Sequence, residues 1–308
     1  MTVQKRIPII IDTDPGIDDA VAIGVALHHE ELEVKLISTV AGNVDVDKTT
    51  NNALKLVQFF DKFTPVARGA SKPLCTEYED SSPIHGESGM DGYEFPEAKA
   101  AIHQEHAVNA IRQLLMNSDE KVTLVPIGPL TNIALLLSLY PECYFRIERI
   151  VLMGGSANGG NHTPTAEYNI FADPEAAKIV FRSGLDVTMV GLDVTSKATL
   201  TPDNVIAIRD QNETGKMMYS LFQHYRGGSL ETGLKMHDLC AIAYLVKPEL
   251  FTTKKCFVDV ETAGAYTRGT TIVDQKNRYQ QPPNTTVCLD IDVEAFRMWA
   301  VKCLAAAR

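Results

Sequence analysis

The chain predicts an α/β fold, an open and mostly parallel central sheet with helices on both faces, and three observations predict it. Short apolar runs rich in β-branched residues alternate with helix-length amphipathic stretches, the pattern of parallel strands joined by crossover helices. Small or polar residues gather directly after several of the runs, at the carboxyl edge where open α/β sheets bind ligands. No internal repeat, linker or low-complexity tract interrupts the 308 residues, so residues 1–308 read as a single domain.

Each element can be justified in order. The first strand is Ile7–Ile11, followed by the acidic segment Asp12-Thr-Asp-Pro-Gly-Ile-Asp-Asp19 and a helix over 17–29. The second strand, Val34–Val40, ends in Ala41-Gly-Asn43 and leads to a helix over 46–61. A helix over 103–117 precedes the third strand, Val122–Ile127, which runs into Gly128-Pro-Leu-Thr-Asn132 and a helix over 129–139. The fourth strand, Ile150–Met153, ends in Gly154-Gly-Ser156; the fifth is Val187–Leu192. Further helices are expected over 174–183, 202–210 and 237–246. Two stretches break the rhythm and read as active-site loops. Residues 75–98 are too rich in Gly, Ser and Pro for regular structure, and the glycines of 223–236 suit a mobile lid.

Composition narrows the function. With 45% hydrophobic and 22% charged residues the chain can bury a large core. A net charge of -10 with no Lys/Arg block excludes nucleic acid as the expected partner and favours a small neutral or cationic substrate, or a metal ion. The six cysteines form no C-x-x-C pair and read as reduced and buried. No apolar run approaches the ~20 residues of a membrane span, and the first residues carry no secretion-type apolar segment, so a cytoplasmic location is expected.

The acidic segment is the most informative stretch. Four Asp within eight residues, Asp12, Asp14, Asp18 and Asp19, repel one another at a strand-to-helix turn unless a cation or protons neutralise them. A helix cap explains one of them, Asp18, but not four. Asp is a hard oxygen ligand, and no Cys/His pair at ligand spacing competes with it, so Ca²⁺ or Mg²⁺ is favoured over Zn²⁺. Asp14 and Asp19 flank a Pro-Gly turn that can bring both to one cation. His237-Asp238, at the start of an apolar helix, offers a further carboxylate and an acid/base histidine. Asn161, Glu167 and Asn169 offer amide and carboxylate groups suited to several hydroxyls, as on a sugar, whereas Asp173 reads as a helix cap.

Taken together these motifs closely resemble the nucleoside hydrolase family, the inosine–uridine preferring and related N-ribohydrolases. The resemblance runs nearly end to end: Asp12 to Asp19, Ala41-Gly-Asn43, His85-Gly86 with Gly89-Met-Asp-Gly92, Gly128 to Asn132, Met153-Gly-Gly155, Glu167-Tyr-Asn169 and His237-Asp238, in that order. In detail the chain looks most like the bacterial ribonucleoside hydrolases of broad base specificity. The resemblance implies the family's fold, with a Rossmann-like core, and a Ca²⁺ site with ligands at Asp14, Asp19, Asp238 and the Ile127 carbonyl, where family members often carry Thr. It also implies Asp18 and Asn169 at the ribose 2′- and 3′-hydroxyls, Asn161 and Glu167 at the 5′-hydroxyl, Asn43 near the nucleophilic water and Met153 among the substrate contacts. Tyr168 replaces the common Phe.

The implied reaction is hydrolysis of the N-glycosidic bond of purine and pyrimidine ribonucleosides to free base and ribose. Asp14 is then the general base and His237 the candidate general acid, while His85 and Tyr225 are candidates to contact the base. Homodimers or homotetramers are the usual assemblies of similar proteins. Two other readings stand beside this one. The Asp12-Thr-Asp14 motif after an apolar strand also matches Mg²⁺-dependent phosphotransferases of the haloacid-dehalogenase type, with Asp12 as nucleophile. A Ca²⁺-dependent nucleoside-binding protein without turnover is the other.

Overall fold

The computed structural model describes residues 5–79, 86–225 and 227–307. Its strands are β1 Ile7–Thr13, β2 Leu32–Thr39, β3 Val66–Arg68, β4 Val122–Pro126, β5 Ile147–Met153, β6 Val187–Val190, β7 Thr199–Leu200, β8 Gly228–Ser229, β9 Gly233–Lys235, β10 Phe251–Val260, β11 Thr271–Asp274 and β12 Thr285–Ile291. Nine of them form the main sheet in the order β3-β2-β1-β4-β5-β6-β12-β10-β11. The pairs from β3 across to β12 are parallel, and β10 and β11 are added antiparallel at one edge. The expected fold class is therefore the observed one.

Burial on both faces explains the apolar runs. Ile9, Ile11, Ile37, Val125, Val151 and Met153 point into one core, packed with helices Ile17–His28, Val46–Phe59, Pro202–Arg209, Glu213–Phe222, His237–Val246 and Val293–Ala306. Their strand neighbours Ile10, Leu36, Leu124, Ile150 and Leu152 point into the other, against helices Ala107–Asn117, Thr131–Leu139 and Pro174–Phe181. Side chains alternate faces along a strand, so a strand covered on both sides must be apolar at nearly every position. Each fully buried Ile or Leu contributes about 1.5–3 kcal/mol.

The strand order reverses beside β1, with β2 on one side and β4 on the other. The connections there leave in opposite directions and open a crevice at the carboxyl ends, the usual ligand position in such sheets. Asp12 pairs across with Ser38 and Pro126, so Asp14 emerges into that crevice between the loops that follow β2 and β4.

Several expectations are corrected. Segment 223–236 is no open loop: β8 and β9 lie within it and pair with β7 as a three-stranded antiparallel sheet, because Gly228 and Gly233 permit the tight reversal. Described residues 75–79 and 86–98 do lack helix and strand. The last three strands of the main sheet and the helices Glu213–Phe222 and Val293–Ala306 were not anticipated, although Phe296, Trp299, Ala300 and Leu304 bury one face of the last helix at helical spacing. All six cysteines are unpaired, but Cys75 is exposed and Cys303 half-buried rather than in the core. No described helix is long and apolar enough to cross a membrane.

The terminal helix is part of the core through Phe296, which is 0% exposed, whereas Phe145 is 80% exposed. Phe296→Ala is expected to lower the unfolding free energy in urea by about 3–5 kcal/mol. Phe145→Ala should stay within about 0.5 kcal/mol of the parent. Equal shifts would place the terminal helix outside the cooperative core.

Candidate functional site

The site is built from strand ends. Asp14 lies just beyond β1, and its Oδ2 accepts a 2.7 Å hydrogen bond from the Asn43 backbone N–H, in the loop after β2. Asn43 also donates its side-chain amide to the Asp14 carbonyl at 3.0 Å and to Asp19 Oδ2 at 3.3 Å. Ala41-Gly-Asn43 and Gly128 now have a physical reason. A Cβ on Gly42 would overlap Asp14 Oδ2, and one on Gly128 would overlap Asp14 Oδ1. Bare backbone on both sides is what lets this carboxylate stand where it does.

Asp19 lies below the cavity, tied by Thr13 Oγ1 at 2.5 Å and the Gly16 N–H at 2.9 Å. The second bond caps helix Ile17–His28, so Asp19 and not Asp18 is the capping carboxylate. Asp238 enters from the first turn of helix His237–Val246. Carboxylate oxygens of Asp18, Asp19 and Asp238 lie within 4.8 Å of one another, all buried. This tight group contains Asp18, which the resemblance assigned to a ribose hydroxyl rather than to the cation, while Asp14 Oδ2 is engaged by the Asn43 N–H.

Electrostatics make the crowding costly. Burial pushes Asp14 well above the usual carboxylate range, and the charges of Asp19 and Asp18 add to it against the Asn43 N–H. Asp238 is raised likewise by burial and by Asp18, Asp19 and Asp14. Asp18 is raised to about 7 by burial and Asp19, with a hydrogen bond from Tyr225 opposing. Burial also raises Asp19, although Thr13 and Gly16 hydrogen bonds favour its charged form. An all-oxygen group in this state fits a hard divalent cation, which removes the repulsion that burial amplifies. Ile127 lines the same cavity, and its carbonyl accepts from Asn169 Nδ2 at 3.0 Å.

One cavity of about 280 Å³ is lined by Asp14, Asp18, Asn43, Ile127, Met153, Asn161, Glu167, Asn169, Tyr225, His237 and Asp238. These are the sequence-predicted site residues apart from Asp19, which supports the floor, and His85, which lies outside the described residues. Asn169 spends its amide hydrogens on the Ile127 and Met153 carbonyls, leaving Oδ1 as an acceptor. Glu167 accepts from the N–H groups of Gly155, Asn169 and Ile170 at 2.9–3.1 Å, capping the short helix Tyr168–Ala172. Burial raises its carboxyl to about 7 against those N–H groups. Asn161 Oδ1 accepts from the Tyr168 N–H at 3.0 Å. The Tyr225 hydroxyl also lies 3.1 Å from the Lys235 carbonyl, so its single hydrogen can serve that carbonyl or Asp18 but not both at once.

Sequence reasoning missed His162, Ser196 and Lys235, which also line the cavity, and Thr13, which holds Asp19. Thr13 inside the acidic segment, His162 next to Asn161 and Lys235 within 223–236 had a signal in the sequence, and Ser196 had none. Asp12 is fully buried below the crevice, with Oδ1 accepting from Ser38 and from Asn132 at 2.8 Å. A phosphotransferase nucleophile must reach its substrate, so the haloacid-dehalogenase-type alternative fails on Asp12.

A family model described as inosine-uridine preferring nucleoside hydrolase matches residues 9–298. The chain is 57% identical over 302 residues to the non-specific ribonucleoside hydrolase RihC of Klebsiella pneumoniae subsp. pneumoniae, covering 98% of this chain and 99% of that protein. Among solved structures it is similar to a purine-preferring ribonucleoside hydrolase from Gardnerella vaginalis, with TM-score 0.90 and 34% identity over 97% of this chain and 98% of that one. A plant nucleoside hydrolase, PpNRh1, matches with TM-score 0.91 and 30% identity, covering 98% and 99% of the two chains.

Because Gly42 makes room for Asp14, Gly42→Ala is expected to cut turnover by about 10²-fold, the effect of an ångström-scale misplacement. The far-UV spectrum should stay unchanged. Activity within twofold of the parent, about the assay's scatter, would mean the Asp14 position is not critical.

Proposed function

We propose, since this chain belongs to the inosine-uridine preferring nucleoside hydrolase family, that its cavity holds a ribonucleoside over a calcium ion, with Asp14 as the general base. Hydrolysis of ribonucleosides to free base and ribose is the activity of this enzyme. The assignment of roles is carried by one observation: Asp14, Asp18 and Asp238 share a cavity with Asn161, Glu167 and Asn169, with Asp19 directly beneath.

The family is metal-dependent, and the residues present fit a cation. Asp14, Asp19, Asp238 and the Ile127 carbonyl would hold Ca²⁺, with Asp18 close by. When bound, such an ion acidifies a water and draws sugar hydroxyls toward its charge. Asp14 takes the proton from the attacking water, held for that by the Asn43 N–H. Asp18 and Asn169 Oδ1 accept from the 2′- and 3′-hydroxyls. Glu167 keeps acceptor capacity beyond its three backbone bonds and, with Asn161, holds the 5′-hydroxyl. N-glycosidic cleavage passes through an oxocarbenium-like state, which the surrounding carboxylates stabilise.

His237 donates to the departing base, and Tyr225 and His85 contact that base. The resemblance to a non-specific relative supports purine and pyrimidine ribonucleosides alike as substrates. Six unpaired cysteines support a cytoplasmic location. The exposed apolar side chain at Leu139 supports contact between copies in a homodimer or homotetramer.

A reducing-sugar assay tests the roles. Asp14→Ala is expected to lower kcat by at least about 10²-fold with the fold intact, and near-normal kcat would eliminate it as base. Asp238→Asn should lower the calcium retained after dialysis. In the parent, calcium should raise Tm more at about pH 7.5 than at about pH 5. The sign follows from the raised carboxyls: the metal-free fold holds protons that the unfolded chain releases, so it loses stability as pH rises, and the cation restores it. A calcium effect equal at both pH values would remove the acidic cluster as the binding site. His237→Ala should depress inosine turnover far more than uridine turnover; equal losses would remove its role in purine release.

A further inference from the structure

The short helix Leu192–Thr195 after β6 is absorbed by none of the roles above. Thr195 is 0% exposed, and its Oγ1 lies 2.8 Å from His237 Nδ1. Among the described residues this is the hydroxyl's one hydrogen bond. A buried O–H needs an acceptor, and here Nδ1 is the acceptor in reach. If Nδ1 carried the hydrogen instead, the threonine's own hydrogen would be buried unpaired.

We propose that Thr195 is a positioning residue for the reaction: its hydroxyl donates to His237 Nδ1 and holds the imidazole in the tautomer whose hydrogen sits on Nε2. With Nδ1 accepting, the ring's hydrogen lies on Nε2, from which it can be donated as a hydrogen bond to the departing base. The partner of one ring nitrogen decides the state of the other. The inference rests on the reading of His237 as the donor to the base and narrows it: the neutral ring donates a hydrogen bond from Nε2 and gives up no proton, since an imidazolium would carry hydrogen on both nitrogens and could not accept from Thr195.

The scaffold keeps the pair in register. The Leu192 N–H donates to the Gly155 carbonyl at 2.9 Å. Asp193 accepts from the Ala157 N–H at 2.7 Å and from the Asn158 side chain at 2.8 Å, so the helix is fastened to the loop that carries Asn161. Farther on, the Met236 N–H donates to the Ala198 carbonyl at 2.9 Å, and Thr199 pairs with Lys235 in the small sheet. The backbones before and at His237 are thus fixed to the segment that carries Thr195, and the hydroxyl sets what the backbone does not, the ring's rotation and hydrogen.

The test compares inosine with 4-nitrophenyl β-D-ribofuranoside, whose nitrophenolate leaves without help from a donor. Thr195→Val should lower kcat on inosine by about 10- to 100-fold, the range for partners that orient a functional histidine, with KM little changed. It should leave kcat on the nitrophenyl riboside near the parent value, and Thr195→Ser should restore inosine turnover. Equal losses on both substrates, or no loss on inosine, overturn the proposal. His237→Ala is run beside them. If it spares the nitrophenyl riboside and Thr195→Val does not, the Thr195 role alone falls; if it lowers both substrates equally, the histidine role falls and this one with it. A nitrogen-15 spectrum of the histidine-labelled parent, assigned through His237→Ala, needs no threonine variant. Hydrogen on Nε2 is expected, and hydrogen on Nδ1 overturns the proposal even if Thr195→Val does not fold.

Discussion

Four carboxylates buried beside one another are the constraint on which the rest of this structure depends. Asp14, Asp18, Asp19 and Asp238 all lie above their usual titration range, through burial first and, for Asp14, Asp18 and Asp238, through the neighbouring carboxylate charges next. Such a group is unfavourable in a fold that only has to be stable. It becomes useful when a cation neutralises it and a substrate that develops positive charge sits over it. The donors around the cluster from Thr13, Gly16, Asn43 and Tyr225 then serve as braces that keep Asp19, Asp14 and Asp18 in place.

The topology supplies the place for that group. Between β2 and β4 the sheet opens at the end of β1, and the loops there meet Asp14 with backbone in place of side chains, at Gly42 and Gly128. Of the other residues lining the cavity, Glu167 is set by three backbone N–H groups and Asn169 by two carbonyls. Polar side chains held this way lose little freedom when a ligand arrives, which is the physical content of a pre-organised pocket. Another part of the lining is built differently, from Tyr225, Gly227 and Gly228 and from His237, whose Nδ1 meets Thr195.

Much of this was legible in the chain. The five central strands and seven helices were marked by apolar runs and periodicity, because burial on both faces imposes a strong pattern. The added strands β10 to β12 were not: exposed Thr252, Thr253, Lys254 and Lys255 in β10 dilute the alternation that marks a half-buried strand. Segment 223–236 looked like a loop because glycines that permit a tight antiparallel reversal are also the usual mark of a flexible one. Cys75 looked like a core cysteine and is exposed, since residue type alone is a weak guide to burial.

The sequence by itself determined the fold class, the acidic segment at the end of the first strand, the polar trio Asn161, Glu167 and Asn169 and the distant carboxylate at Asp238, because each is a local pattern with a local physical signature. Only the tertiary structure decided that Asp19 caps while Asp18 joins the tight group, that Asp12 is buried out of reach, and that Thr195 meets His237 across 42 positions of chain. Those outcomes depend on which elements pack side by side. Strand order and helix packing bring together residues whose chemistry is visible one at a time but whose partnership leaves no mark in their neighbours.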